Sequence, residues 1–334
     1  MQFFSIFAGL AAISPLVLAA PTPTENRDVV ERANVVKRAA ITDIATTGYA
    51  TQNGGTTGGQ GGATTTVSTL AQFTAAVTDS TARIVVVSGT ISGSDKVRIG
   101  SNKTIVGLPG ATFDGVGLFI RDVSNVIIRN IISQNVLATN GDNIGIQAST
   151  NVWVDHCEVS SDLSHGKDYY DGLIDITHAS EWVTVSNTYL HDHYKASLIG
   201  HSDNNGAQDT GHLHVTQHNN YWYNIGSRTP SFRFGTGHVY NSYFKSMNTG
   251  IDTRDGAQLL VQSNVFSNVT EPIASLYSSS SGYATAIDND LGGQSNTAPA
   301  GNLTSTSMPY TYTLLGSANV EAAVVGTAGA TLTF

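Results

Sequence analysis

The chain has 334 residues and carries 16 Lys and Arg against 25 Asp and Glu, a formal charge of −9. That balance is the reverse of a nucleic-acid binder's, and no run of ~18 apolar residues lies beyond the first twenty to span a membrane. A lone cysteine, Cys157, excludes an intramolecular disulfide.

Residues 3–18 form an apolar run that closes on Val17-Leu18-Ala19-Ala20, a small-residue cleavage site. Residues 1–20 therefore read as a secretory signal, and the protein as secreted and extracellular. Residues 21–38 are polar and end in Lys37-Arg38, which reads as a propeptide closed by a dibasic processing site or as a short linker. Residues 39–334 are the expected folded domain. They keep 12 basic and 22 acidic residues, a formal charge of −10. A polyanionic ligand fits such a domain only if the few cations are gathered at one site and a bound cation adds to them.

Residues 54–62 are glycine-rich but lack the Gly-Lys-Ser/Thr ending of a phosphate loop, so they read as structural. The best helix covers residues 68–77, with Ser68 as its N-cap and apolar Leu70, Phe73, Ala76 and Val77. From about Ser101, short β-rich segments recur every 20 to 31 residues, and each alternates apolar with polar. They end in Asn130, His156, Asn187, Asn219, Asn241 and Asn264. Such residues tolerate the left-handed backbone of a sharp corner and could hydrogen-bond along a stack. Hairpin signals do not recur. The pattern predicts an all-β chain: a single right-handed parallel β-helix, with the short helix closing its open N-terminal end. The tail after Thr297 is expected along the outside of the coils, and a monomer is the default.

Three groups of residues could carry chemistry. Asp142, Asp171 and Asp175 offer oxygen ligands of the kind calcium takes. Asp171 and Asp175 stand about 13 Å apart if fully extended, so the chain must turn at Gly172 to bring them together. Spacing alone does not separate a metal site from solvated loop carboxylates. Lys195, Arg228 and Arg233 are scarce cations close in sequence to this acidic set, and arginine forks bind carboxylates in bidentate fashion. Asp155-His156 looks like a catalytic pair, yet it sits inside a strand segment and reads better as structure. His191, His193, His201, His212, His214 and His218 show no His-Glu-x-x-His spacing, so zinc is not expected. Cys157 reads as a buried, inert thiol. Asn102, Asn268 and Asn302 head glycosylation sequons.

Several motifs in order closely resemble the pectate lyase family in its secreted fungal form: Gly54-Gly55-Thr56-Thr57-Gly58-Gly59, Ser101-Asn102-Lys103-Thr104-Ile105-Val106-Gly107, Trp153-Val154-Asp155-His156 and Arg228-Thr229-Pro230-Ser231-Phe232-Arg233. The resemblance runs from about Gly48 to Ser275. It implies Asp142, Asp171 and Asp175 as ligands of Ca2+, Arg228 as the base, and Lys195 and Arg233 as cations at the substrate carboxylate. The implied substrate is polygalacturonate, cleaved by β-elimination. Asn140 stands where some members carry a further acid, and Thr177 replaces a common lysine; weaker calcium binding and a missing substrate cation would follow. Related pectin lyases, which act on methylated polymer, lack the acidic trio. A polygalacturonase-type hydrolase and a non-catalytic pectin-binding β-helix are the competing classes.

Overall fold

The computed structural model describes Met1 and residues 39–334. The expected signal and processing segments, Met1 apart, lie outside the described residues. Six predicted segments become neighbouring strands of one sheet: Ser124–Arg129, Thr150–Asp155, Glu181–Ser186, His214–His218, Thr236–Tyr240 and Gln258–Gln262. Ten strands form this sheet, and all of its ladders are parallel. A second path of strands covers two further faces. One holds Ile132–Gln134, Glu158–Ser160, Tyr189–Lys195 and Tyr221–Ser227. The other holds Ile144–Gln147, Ile174–Thr177, Leu198–Ile199 and Ser231–Arg233. Long strands Thr112–Arg121 and Tyr243–Arg254 run across both. The architecture is the expected parallel β-helix. Parallel strands need long crossovers, and here each crossover is the remainder of one coil.

Alternation fills the interior. Val126, Ile128, Val152, Val154, Val183 and Val185 point inward and are fully buried. Trp222, Phe244 and Phe266 stack inside the coils at centroid distances of 5.8 and 4.6 Å. The helix Leu70–Val77 buries Phe73, Ala76 and Val77 at the N-terminal end, with Phe73 4.6 Å from Phe113. Its N-cap is Thr69, whose hydroxyl accepts from the Gln72 amide, and not Ser68. Ser68 instead donates its own backbone N–H to the Gln72 side chain.

The corner prediction holds in backbone and fails in detail. Asn130, His156, Asn187, Asn219 and Asn241 all have φ between 48° and 55°, but the sixth corner is Ser263, not Asn264. Corner side chains mostly bond elsewhere; Asn130 donates to Gly107 O and Asn187 to Asp155. The continuous ladder lies one residue later and points inward. The Thr188 amide donates to Asn220, Asn220 to Ser242, Ser242 to Asn264 and Asn264 to Asn289. Turning a corner leaves these amides without strand partners, and buried amides must be satisfied.

Asp155 is structural, as expected. It is 1% exposed and accepts from Arg129, His156, Ser186 and Asn187. Burial alone would raise its pKa, but His156, Arg129 and Asn187 together hold it well below the usual carboxylate range. Cys157 is buried, and that burial pushes its thiol up to about 12. Glu181 occupies both imidazoles that share a strand face, 3.0 Å from His212 and 2.8 Å from His214. Among the described residues no helix is long and apolar enough to cross a membrane. Asn268 and Asn302 are exposed, whereas Asn102 is half-buried with its amide bonded to Asn125 and Ser80.

The C-terminal tail packs outside the ten-stranded sheet. Tyr310 donates to His238 Nδ1, and His238 Nε2 donates to Gln262. Burial depresses the His238 pKa from 6.5 to about 3.

Two outcomes follow. Asp155→Asn leaves Arg129 with only the half-exposed Asp43 as its carboxylate partner, and denaturant unfolding should show a loss of about 3 kcal/mol or more with activity per folded molecule retained. The His238 pKa is lower in the folded than in the unfolded chain, so its contribution is complete above 6.5 and drains away as pH falls toward 3. Melting curves across that window should be flatter for His238→Gln than for the parent.

Candidate functional site

The loops that join the second face to the third pile up at one corner of the solenoid. Each coil delivers its own functional side chains there. Asp142 precedes Ile144–Gln147. One coil further, Asp171 precedes Ile174–Thr177 and Asp175 lies on it. Lys195 ends Tyr189–Lys195 on the next coil, and the one after carries Arg228 and Arg233. With ~4.8 Å per coil, the order of residues in sequence becomes their order along the axis.

Two of the three acidic residues, Asp142 and Asp175, meet at Gly172. The Gly172 amide donates to Asp142 Oδ1 at 3.0 Å, and the Leu198 amide to Asp175 Oδ1 at 2.8 Å. Gly172 sits between them; a Cβ there would stand 2.5 Å from Asp175 Oδ1 and 2.9 Å from Asp142 Oδ1. The turn expected at Gly172 is thus also a gap that only glycine leaves open. Burial, then the Asp171 charge, raises the Asp142 carboxyl to about 6. Burial, then the Asp142 charge, raises Asp175 well above the carboxylate range. Among the described residues neither has a cationic side chain within ion-pair distance. Asp171 leans toward Lys195, 3.7 Å away, and Lys195 also binds Asp168 at 3.1 Å. Among the described residues no three acidic or histidine side chains already converge to hold an ion. What the site does have is oxygen donors, two of them crowded and proton-hungry. That donor set suits a hard divalent cation.

The cations are not equivalent. Arg233 is 7% exposed and its Nε is bound by Asp203 at 2.6 Å and Asp255 at 3.3 Å. Asp203 also binds Arg254 at 3.2 Å. Arg254 pairs with Arg233 across the ladder and was not singled out in the sequence. Burial, and next the Arg233 charge, lower its pKa. Arg228 differs from both. It is partly exposed, has φ 62°, and is the one arginine among the described residues whose guanidinium makes no hydrogen bond or ion pair. Its backbone is fixed, since its carbonyl accepts from Ser197 at 2.8 Å.

His193 was read only as one histidine among many. Its Nε2 donates to the Asp171 carbonyl at 2.6 Å, so Nδ1 must accept from Ser161 at 2.6 Å. Burial holds it down at about 4, a neutral brace for the acidic loop. Nothing in the local sequence marks it, because its partners lie 22 and 32 residues away.

The family model for pectate lyase matches residues 22–332. The chain belongs to the pectate lyase family. It is 59% identical over 335 residues to pectate lyase A of Aspergillus niger, covering 100% of this chain and 99% of that one. It is 56% identical to pectate lyase B of Colletotrichum gloeosporioides, covering 98% and 99%. Among solved structures, a pectate lyase from Bacillus sp. N165 in complex with trigalacturonate superposes with a TM-score of 0.77 at 30% identity, covering 85% of this chain and 98% of that one.

The crowded carboxylates generate a stability prediction. In chelator, Asp175→Asn keeps the acceptor for Leu198 but removes one of two buried like charges. Its melting temperature should exceed the parent's by about 2 °C or more. An unchanged or lower value would show that the repulsion is already relieved.

Proposed function

We propose that this protein is a secreted, calcium-dependent pectate lyase that cleaves (1→4)-linked polygalacturonate by β-elimination, degrading demethylated pectin of plant cell walls. The observation that carries this reading is the unpaired Arg228 guanidinium at the edge of the acidic cluster. A base must be free of other partners and within reach of the substrate proton. Arg233 and Arg254 are held by carboxylates, so neither guanidinium is free of other partners.

Asp142, Asp171 and Asp175 would hold the ion; when bound, calcium supplies positive charge and Lewis acidity beside the uronate carboxylate. Lys195 binds that carboxylate and stabilises the charge that develops on it as C5 loses its proton. Arg233, fixed by Asp203, orients the chain through a second carboxylate. Arg228 takes the C5 proton. The C5–H electrons form the C4=C5 double bond, and the C4–O electrons leave with the glycosidic oxygen, which picks up a proton from solvent. Arg228 then returns its own proton to solvent. No water is consumed, and the new end is an unsaturated uronate.

The test is the ultraviolet absorbance of that unsaturated product on polygalacturonate, with calcium and with excess chelator. Absorbance should grow with calcium and vanish without it. Arg228→Lys should cost at least about 100-fold in kcat with little change in polymer affinity. New reducing ends without the absorbance would mean hydrolysis, and neither signal would leave a binding protein.

A further inference from the structure

Seven basic residues flank the acidic trio along the solenoid, besides Lys167 in the loop of Asp171 itself. Four of them are Lys195, Arg228, Arg233 and Arg254. The other three lie on the opposite side of the acidic trio, toward the N-terminal end, where the mechanism above makes no use of them. Lys96 and Arg98 are on Thr90–Ile99, and Arg121 ends Thr112–Arg121. Register fixes their place. Asp175 pairs with Gly145, Gly145 with Phe119 and Phe119 with Arg98. Thr177 pairs with Gln147, and Gln147 with Arg121. Arg98 and Arg121 therefore stand three and two rungs from the acidic strand, about 14 and 10 Å along the same face.

These cations are not consumed by structure. Arg98 and Arg121 are 57% and 51% exposed and share one exposed carboxylate, Asp122, at 3.2 and 3.3 Å. Lys96 is exposed, has no ion pair, and lies 4.1 Å over the Phe119 ring. Of the acids nearby, Asp95 accepts from the Lys96 backbone amide and Asp142 feels the Lys96 charge, so Lys96 stands at the edge of the acidic cluster and Arg98 and Arg121 lie beyond it. Between the patch and the acidic trio the floor is low: Gly117 and Gly145 flank Phe119, and Thr177 offers no charge. In a domain of formal charge −10, positive groups on both flanks of one acidic cluster make a track for a polyanion.

We propose that Lys96, Arg98 and Arg121 form a second carboxylate-binding subsite, which grips uronates of the same polymer two to three coils away from the reacting one. The proposal rests on the lyase reading for its ligand class. The patch lets a long chain bind more tightly than a short one. Three sugar units seated between the acidic trio and Arg228 do not extend across the further rungs, so a trimer gains nothing from it.

The experiment compares the full protein with the Arg98→Gln/Arg121→Gln double variant. Both positions are exposed, so folding should be unaffected, as checked by melting temperature. Retardation by polygalacturonate in a gel, each protein measured against its own migration in a gel without polymer, needs no turnover and reads the patch directly; the double variant should be retarded less than the parent. With turnover, the ratio of kcat/KM on polymer to kcat/KM on trigalacturonate should fall about fivefold. The variant's polymer KM should also depend less steeply on added salt than the parent's. Lys245→Gln, which removes a cation from the neighbouring face, should keep the parent's ratio. An unchanged ratio and unchanged retardation by polymer overturn the subsite, as does an equal fall for polymer and trimer or an equal fall for Lys245→Gln. If the parent yields no unsaturated product, the lyase reading fails, and the gel still decides the patch.

Discussion

Every functional side chain in this protein takes its position from the parallel hydrogen-bonded ladder between coils. Strand pairing sets the rise at ~4.8 Å and fixes which residue stands beside which. The interior series Thr188, Asn220, Ser242, Asn264 and Asn289 carries that pairing around a corner where strand partners run out. Without it, buried amides would be left unsatisfied on successive coils, at a cost of ~1–3 kcal/mol each. The ladder converts a linear order of acids and bases into a groove with acids in the middle and cations beyond.

The groove holds its charges in opposite ways. Its arginines at Arg233 and Arg254 are paired with Asp203 and Asp255, and Arg254 also donates to the Ser278 hydroxyl, so both are locked in place. Its carboxylates at Asp142 and Asp175 are crowded, and among the described residues no cation forms an ion pair with either. Such an arrangement is costly until a ligand arrives, which is how stability is exchanged for function at a binding site. Gly172 makes the crowding sterically possible, and His193 braces the loop that brings Asp171 up to it.

Much of the solenoid was legible. Alternation of apolar residues, the 20 to 31 residue recurrence and the Asn and His corners each have a direct physical reading, and five of six corners fall where the pattern puts them. The errors are one-residue errors. Thr69 rather than Ser68 caps the helix, and Ser263 rather than Asn264 turns the corner. Both reflect a choice between adjacent polar residues that local preference does not make. Asn264 was noticed for the wrong reason: its side chain goes inward to its neighbours along the stack.

The sequence alone determined the solenoid and the scarcity of cations, because periodicity and composition are local properties. Spacing alone left Asp142, Asp171 and Asp175 as candidates, and only the family resemblance told the arginines apart. Only stacking showed that Arg233 and Arg254 are held by Asp203, which belongs to a loop 30 residues before the first and 51 before the second. Only stacking left Arg228 unpaired and set Arg98 and Arg121 on the same face as Asp175. Ion pairing depends on distances of a few ångströms between residues on different coils, and those distances exist only once the ladder is formed.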